Sequence, residues 1–277
     1  MSYLISLVKF YRVRDWIHLL GITLLGFVYV SCNPVNYLGL SVCILLSSLY
    51  LAFGYSSNTV FEQFLLGKGH YHNLALSVLP AVLLLPMAGF YSVKMLLVFF
   101  VGVILSIAYS APPFNLKSRP IMELFVNSSL FTVLFLVGSI VVQGTITYNA
   151  LVFSVFVFTL TIPFQLIQEL GDMDVDRSNN LMTTAIYAKL LTVKAIMISS
   201  TVISMLLSLI IPLPSQGSIW FNALTLLLCA FILIRTITLR NNDIIQFKQD
   251  RLIMRYAAIV YGTALLAVLI TNPPNNC

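Results

Sequence analysis

The chain has 277 residues, of which 59% are hydrophobic and only 9% are charged. Because soluble globular domains carry about 25% charged residues, this composition excludes a soluble protein and predicts an integral membrane protein. The net charge of +6 does not indicate a nucleic-acid partner, since the basic residues lie in short segments between long apolar runs, where membrane topology accounts for them.

Nine apolar segments are long enough to cross a bilayer, which takes about 20 residues in a helix. Because backbone polar groups cannot stay unpaired in lipid, each segment is predicted to be an α-helix. In chain order the segments cover residues 16–32, 36–60, 73–90, 93–110, 121–143, 149–169, 190–211, 217–236 and 253–271. The predicted fold is therefore an all-α integral membrane protein with nine transmembrane helices in one domain, residues 1–277.

The positions of the charged residues support nine membrane-spanning segments. With nine segments, all basic residues except Lys94 fall on one side of the membrane. The positive-inside rule makes that side cytoplasmic, so the N-terminus is predicted inside and the C-terminal stretch TNPPNNC outside. The carboxylates also fall on the predicted cytoplasmic side, which is therefore expected to carry the chemistry.

The first polar group lies at the end of the second segment, in the stretch GYSSNTVFEQFLLGKGHYH. Asn58 and Glu62 are four residues apart and therefore share a helix face. A carboxylate inside an apolar run is costly and usually has a function. The alternative is a local pair between Glu62 and Lys68 at the interface. The nearby His70 and His72 favour interface positions over a metal site.

The second group is the stretch YSAPPFNLKSRP, residues 109–120. Pro112 and Pro113 end the fourth segment, because proline removes a backbone donor and restricts the residue before it. Lys117 and Arg119 follow in a short, stiff loop. They are suited to bind phosphate oxygens as cations or to anchor a turn at the membrane surface, and the residues alone leave both open.

The third group is the stretch QELGDMDVDRSNN, which ends the sixth segment. Glu169, Asp172 and Asp176 have the spacing i, i+3, i+7 and form one stripe on a helix, whereas Asp174 points away. Carboxylates this close repel each other unless a cation lies between them. Mg²⁺ binds one or two carboxylates together with waters and substrate phosphates. The alternative is a solvated acidic loop neutralised by Arg177, but the shared face favours a site for Mg²⁺ and a diphosphate.

Together these stretches resemble the UbiA superfamily of intramembrane prenyltransferases. YSAPPFNLKSRP is similar to the family's YSxPPxxLK loop, and ELGDMDVDR is similar to its second aspartate motif, DxxxD followed by Arg. The resemblance covers essentially the whole chain. It implies nine helices around a central cavity that is capped by cytoplasmic loops and opens sideways to lipid.

The resemblance also implies an activity, namely Mg²⁺-dependent transfer of an isoprenyl group from a prenyl diphosphate to an aromatic or lipid acceptor within the bilayer. The implied partners are thus a prenyl diphosphate, a hydrophobic or aromatic acceptor and the lipid bilayer. The site residues that it implies are Asp172, Asp176, Glu62 and Lys117 as catalytic groups, Glu62, Glu169, Asp172 and Asp176 as metal ligands, and Asn58, Lys68, Tyr109, Ser110 and Arg177 as substrate-binding groups.

The first acidic motif departs from the family pattern, which is usually NDxxDxxxD. Asn58 remains, and Glu62 replaces the central Asp, but Thr59 and Leu66 replace the other two acids, and Gln63 stands where Arg is common. This half of the site therefore has one carboxylate instead of three. The chain is expected either to hold one Mg²⁺ firmly rather than two, or to have changed its substrate or lost transferase activity. The intact second motif favours an active enzyme.

Two other functions remain open from the sequence. A UbiA-type terpene cyclase would use the same diphosphate site without an acceptor. A non-catalytic lipid-binding or transport protein is the other alternative. Transporters place polar groups near the middle of the membrane, whereas the carboxylates here cluster at one end, which argues against transport. Nothing in the sequence selects an acceptor or a prenyl chain length.

Overall fold

A computed structural model of the chain describes residues 2–31, 36–65, 67–179, 181–213, 215–240 and 243–272. Within these ranges the regular secondary structure is helical and includes no strand. The α-helices of the described ranges are α1 (Ser2–Phe10), α2 (Val13–Trp16), α3 (Leu20–Val30), α4 (Tyr37–Leu65), α5 (Tyr71–Tyr91), α6 (Val93–Ser110), α7 (Met122–Gln143), α8 (Tyr148–Ser178), α9 (Thr184–Tyr187), α10 (Leu190–Ile210), α11 (Ser215–Thr238) and α12 (Ile244–Thr271). Two 3₁₀ turns cover Ile17–Leu19 and Leu116–Ser118.

The helices confirm the predicted fold class. Across the described residues, nine helical segments are long and apolar enough to cross a membrane. The first, Val13–Val30, combines α2, a 3₁₀ turn and α3, and the others are α4 to α8 and α10 to α12. The chain is therefore a multi-pass integral membrane protein. The predicted position of residues 273–277 lies outside the described part of the chain.

Two helices extend well beyond their predicted ends. α8 continues past residue 169 to Ser178, and α12 begins at Ile244 rather than at residue 253. Hydropathy detects only the part of a helix that lies in lipid, whereas the polar turns beyond it are stabilised by contacts with neighbouring helices. As a result, the second acidic motif lies on a helix throughout. The segment around Asp250 and Arg251, predicted as a loop, is also helical.

The membrane helices form a closed ring. In sequence order each packs against the next from α3 to α8, α8 then packs against α10, and the ring closes where α12 packs against α3. α3 and α7 also pack against each other and separate two apolar cores. One core includes Leu84, Phe99 and Leu134, and the other includes Phe153 and Phe221.

The contact between α3 and α7 is close because glycine lies at its centre. A Cβ atom on Gly138 would collide with the carbonyl oxygen of Thr23, and one on Gly26 would collide with the carbonyl oxygen of Phe135. Small residues allow membrane helices to approach until their backbones touch. The two glycines therefore fix the centre of the bundle and the distance between its halves.

One end of the bundle collects the charged groups and is called the acidic end here. α4, α6, α8 and α11 finish at this end, and α3, α5, α7, α10 and α12 begin there. A buried pair links two of these helices, since Asp250 at the start of α12 is fully buried and pairs with Arg235 near the end of α11. The acidic end therefore brings together residues that are far apart in sequence.

Candidate active site

The end of α4 contacts the end of α6 and the loop that follows α6 through two polar contacts. Asn58 Oδ1 accepts a hydrogen bond from Ser110 Oγ at 3.2 Å. One turn further along α4, Glu62 Oε2 forms an ion pair with Lys117 Nζ at 3.0 Å. The alternative pair of Glu62 with Lys68 is wrong, because Glu62 pairs with Lys117 and the side chain of Lys68 is exposed.

The loop after α6 directs Lys117 inward. Asn115 adopts a left-handed conformation with φ 38°, and its side chain donates a hydrogen bond to Ser118 Oγ at 3.0 Å, which closes the 3₁₀ turn. Asparagine is one of the few residues that tolerate this conformation. Lys117 is consequently only partly exposed, whereas Arg119 is exposed. Of the two cations in this loop, only Lys117 reaches the carboxylates.

On α8 the second acidic motif forms the stripe that its spacing predicts. Asp172 and Asp176 are partly exposed on one face, and Asp174 is exposed on another. Asp172 Oδ1 accepts a hydrogen bond from Nη1 of Arg251, which lies about two turns after the start of α12. The guanidinium of Arg251 is thus a second cation at the acidic end, besides Lys117.

Asp176 lies among the other charged groups of the site. Glu62, Asp172, Lys117 and Arg251 are all close enough to act electrostatically on its carboxylate. Within the described part of the chain, no donor forms a hydrogen bond or ion pair with this carboxylate. Glu62 and Asp172, at the ends of α4 and α8, therefore both lie within electrostatic range of Asp176, and the three are called the acidic cluster below. Lys117 pairs with Glu62, and Arg251 pairs with Asp172.

The residue after α8 completes the connection between α8 and α4. Asn179 Nδ2 donates a hydrogen bond to Glu62 Oε1 at 3.3 Å, while Lys117 contacts the other oxygen of the same carboxylate. Both oxygens of Glu62 are therefore engaged by donors. This arrangement holds the only carboxylate of the first motif towards the second motif.

Glu169 lies deeper in the bundle than the acidic cluster and contacts another acid. Its Oε2 accepts a hydrogen bond from the backbone of Ala185 at 3.4 Å. Glu123 Oε1 accepts hydrogen bonds from the backbone and the hydroxyl of Thr184 at 2.6 and 2.5 Å. Glu123 Oε2 and Glu169 Oε1 find no donor among the described groups. The two carboxyl groups lie against each other, and a hydrogen bond between them requires a proton on one.

Tyr109, near the end of α6, lies close to this pair of acids and to the acidic cluster. Glu123, Glu169 and Asp176 are all within electrostatic range of its hydroxyl, and so is Tyr55 on α4. Tyr109 is only partly exposed. This predicted substrate-binding residue is therefore placed near both sets of carboxylates.

Lys68 and Arg177, both predicted to bind substrate, are not brought into the acidic cluster. The side chains of Lys68 and Arg177 are exposed, and neither forms an ion pair within the described ranges. Leu66, the third position of the first motif, lies outside the described residues. The cations that contact the carboxylates are instead Lys117 and Arg251.

The acidic cluster has donors that suit Mg²⁺. Carboxylate oxygens are hard ligands, and Mg²⁺ typically takes only one or two of them and completes its octahedron with waters and phosphate oxygens. The described residues contain no group of three or more acids or other ligands close enough to enclose a metal by themselves. Mg²⁺ held by Glu62, Asp172 or Asp176 would therefore need further ligands from water or from a bound phosphate.

The sequence profile of the UbiA prenyltransferase family matches residues 71–259, more than half of the chain. The protein belongs to this family. Several solved structures have a similar arrangement of helices. A UbiA homologue from Archaeoglobus fulgidus bound to GPP and Mg²⁺ gives a TM-score of 0.70 at 16% identity and covers 94% of this chain and 99% of its own. A search of curated proteins found no match.

Two further UbiA-type structures share the fold. A structure of digeranylgeranylglyceryl phosphate synthase gives a TM-score of 0.75 at 14% identity, over 98% of this chain and 100% of its own. An apo UbiA homologue from Aeropyrum pernix K1 gives 0.60 at 11% identity, over 93% and 96%. At these identities the likeness concerns the arrangement of helices.

Sequence reasoning missed several residues at this site. Arg251 was interpreted only as a positive charge of a cytoplasmic loop, because α12 was predicted to begin after it. Its spacing of four from Arg255 gives no helical signal, because like charges at this spacing disfavour a helix. Asn179 and the contact of Glu123 with Thr184 carry no signal either, since they depend on how α4, α7 and α9 pack.

Proposed function

We propose that this UbiA-family protein transfers an isoprenyl group from a prenyl diphosphate to a hydrophobic acceptor, aromatic or lipid, within the membrane, with Mg²⁺ as cofactor. The observation that carries the proposal is the acidic cluster at the ends of α4 and α8, with Lys117 and Arg251 paired to its carboxylates. A related protein from Archaeoglobus fulgidus binds GPP and Mg²⁺, which supports the same ligands here.

The carboxylates would hold the metal, and the cations would hold the diphosphate. Asp172, Asp176 and Glu62 are the proposed ligands at the mouth of the site, and Glu169 lies deeper and would join them only by leaving its contact with Glu123. Mg²⁺, when bound, acts as a Lewis acid on phosphate oxygens. When the diphosphate binds, Lys117 would leave its contact with Glu62 and contact a phosphate oxygen instead.

The remaining predicted residues would orient the diphosphate. Asn58 and Ser110, which are joined by a hydrogen bond, present polar atoms beside the ion pair of Glu62 and Lys117. Tyr109 would lie against the inner side of the diphosphate. Lys68 and Arg177, both exposed, would add positive charge at the entrance and attract the anionic substrate.

The chemistry requires the departure of diphosphate and the exclusion of water. Donors placed where charge develops on the leaving group stabilise its departure, a role that we assign to Lys117 and Arg251. The central cavity implied by the resemblance would take the prenyl chain directly from lipid, a transfer between two apolar surroundings that needs no hydrophobic driving force. It would also keep water away from the allylic cation. We place the acidic end on the cytoplasmic side, following the positive-inside rule.

The proposal is tested by a screen of prenyl diphosphates against a panel of acceptors, with the purified protein in lipid nanodiscs and products identified by mass spectrometry. The expected result is a prenylated acceptor that forms with Mg²⁺ and disappears with EDTA. Asp172→Asn should abolish the product, while Asp174→Asn, on the exposed face, should not. A cyclised hydrocarbon without acceptor would identify a cyclase. No Mg²⁺-dependent product with any pair would contradict a transferase.

A further inference from the structure

A polar cavity lies beside α4, on a face of the helix that the acidic cluster does not occupy. Its volume is about 310 Å³, and it opens between α1, α4 and the start of α5. Ser56, Thr59 and Gln63 line it from α4 with the spacing i, i+3, i+7 of a single helix face. Asn58 and Glu62 belong to the neighbouring face, so this cavity is separate from the proposed diphosphate site.

The cavity is positively charged. Lys9 on α1 and Arg12 line it together with neutral polar groups such as Asn73, and no carboxylate of the described residues does, although Asp15 pairs with Arg12 from outside the cavity. Lys9 is exposed and forms no ion pair with any described residue. An anion entering the cavity would therefore meet an uncompensated ammonium group and several hydrogen-bonding side chains.

Arg12 is held in place at the wall of this cavity. It adopts a left-handed conformation with φ 52°, which turns the chain between α1 and α2. Its Nε pairs with Asp15 at 2.7 Å, its Nη1 lies 3.4 Å from Thr59 Oγ1, and its guanidinium lies 5.6 Å from the centre of the Tyr55 ring. Because these contacts order the guanidinium before a ligand arrives, binding costs less side-chain entropy.

The surroundings indicate a ligand that is anionic at one end and apolar at the other. An adjoining cavity of about 320 Å³ lies beside α1. Three cations and one carboxylate line it together with Ile5 and Val8, namely Lys9, Arg12, Arg14 and Asp15, so its charge is also positive on balance. Ile5 and Val8 remain 48% and 39% exposed. A short helix with apolar and basic residues at the start of the first span is typical of a segment that lies in the membrane surface.

We propose that the cavity between α1, α4 and α5 binds the phosphate headgroup of an anionic membrane lipid. Lys9 and Arg12 contact the phosphate, and an acyl chain lies along Ile5 and Val8. Basic pockets between transmembrane helices at the level of the headgroups bind lipids in this way. The site is independent of prenyl transfer, so its failure would leave the proposed function untouched.

The test is native mass spectrometry of the detergent-solubilised full chain titrated with phosphatidylglycerol, with phosphatidylcholine and with inorganic phosphate. The wild-type protein is expected to prefer phosphatidylglycerol. Lys9→Gln should weaken its binding about fivefold, which corresponds to the contribution of about 1 kcal/mol per basic residue near an anionic membrane. Lys248→Gln, which removes an exposed charge at the same end of the bundle, is the matched control and should keep wild-type affinity.

Two results would overturn the proposal. One is equal binding of phosphatidylglycerol by the wild-type protein, Lys9→Gln and Lys248→Gln, which would mean that the lipid binds elsewhere. The other is tight binding of inorganic phosphate in the absence of anionic lipid, lost in Lys9→Gln, which would identify a soluble phosphate compound as the ligand. A melting temperature of Lys9→Gln equal to that of the wild-type protein in phosphatidylcholine shows that the variant is folded.

Discussion

Arg251 on α12 donates a hydrogen bond to Asp172 on α8 and so connects the last helix of the ring to the second acidic motif. The pair lies partly exposed at the acidic end. Its guanidinium contacts a carboxylate that we propose as a metal ligand. If Mg²⁺ and a diphosphate bind as proposed, the same guanidinium would be able to turn to the phosphate oxygens, for which its planar fork is suited.

Arg251→Gln is therefore expected to raise the KM for prenyl diphosphate by about tenfold or more, since a hydrogen bond to a charged group contributes about 1.5–3 kcal/mol. The measurement is steady-state transfer at saturating acceptor. Lys248→Gln removes a charge from the same helix at an exposed position and serves as the control. An unchanged KM in Arg251→Gln would show that this residue only balances the charge of Asp172.

Lys117→Gln should reduce prenyl transfer more strongly than any other single change in the loop after α6, because Lys117 alone reaches the carboxylates from that loop. A loss of about a hundredfold in kcat/KM is expected, of the size found when a donor to developing negative charge is removed. Arg119→Gln, two residues away and exposed, should stay near the wild-type rate. Equal losses in the two variants would mean that the loop acts through its net charge.

Thr184→Val is expected to destabilise the protein by about 1–3 kcal/mol, because it leaves the buried carboxylate of Glu123 without one of its donors. The hydroxyl also accepts a hydrogen bond from the backbone of Ile121, which has a φ of 69° that a β-branched residue rarely adopts. Thermal unfolding in detergent measures the effect. Thr183→Val is the control, since its buried hydroxyl has no partner among the described groups, and its melting temperature should hardly change.

Gly138→Ala should also lower the melting temperature, by separating α3 from α7. The added Cβ would collide with backbone atoms of Thr23 and Phe27, which cannot move as a flexible side chain can, and overpacking of this kind costs about 1–3 kcal/mol. Gly262→Ala on α12 is the matched change, because nothing lies within 4 Å of its added Cβ. Similar melting temperatures for both variants would contradict the close packing of α3 and α7.

The fold could be predicted from the sequence because the membrane imposes a single strong pattern. The fourth segment, residues 93–110, is found at the predicted bounds as α6. The polar ends of α8 and α12 could not be predicted, because contacts between helices rather than hydropathy stabilise them. Because of this error, the segment with Asp250 and Arg251 was predicted as a loop, and the ion pair of Arg251 with Asp172 was not predicted.

The candidate site could be predicted only in part. The helical spacing of Asp172 and Asp176 follows from local geometry and therefore placed them correctly on one face of α8. The partner of Glu62 depends on which loop lies above α4, so the sequence suggested only the nearby Lys68, whereas the structure shows the distant Lys117. The contact between Glu123 and Glu169 joins α7 to α8 and has no signature in either segment.

The most direct test of a metal–diphosphate site at the acidic cluster is the affinity of the protein for a prenyl diphosphate, measured by calorimetry with and without Mg²⁺ in Asp176→Asn and Asp174→Asn. Asp176 lies among the charged groups of the cluster, and Asp174 is exposed on another face of the same helix. We expect Asp176→Asn to lose the gain in affinity that Mg²⁺ provides, while Asp174→Asn keeps it. Wild-type, Mg²⁺-dependent affinity in Asp176→Asn would contradict the site.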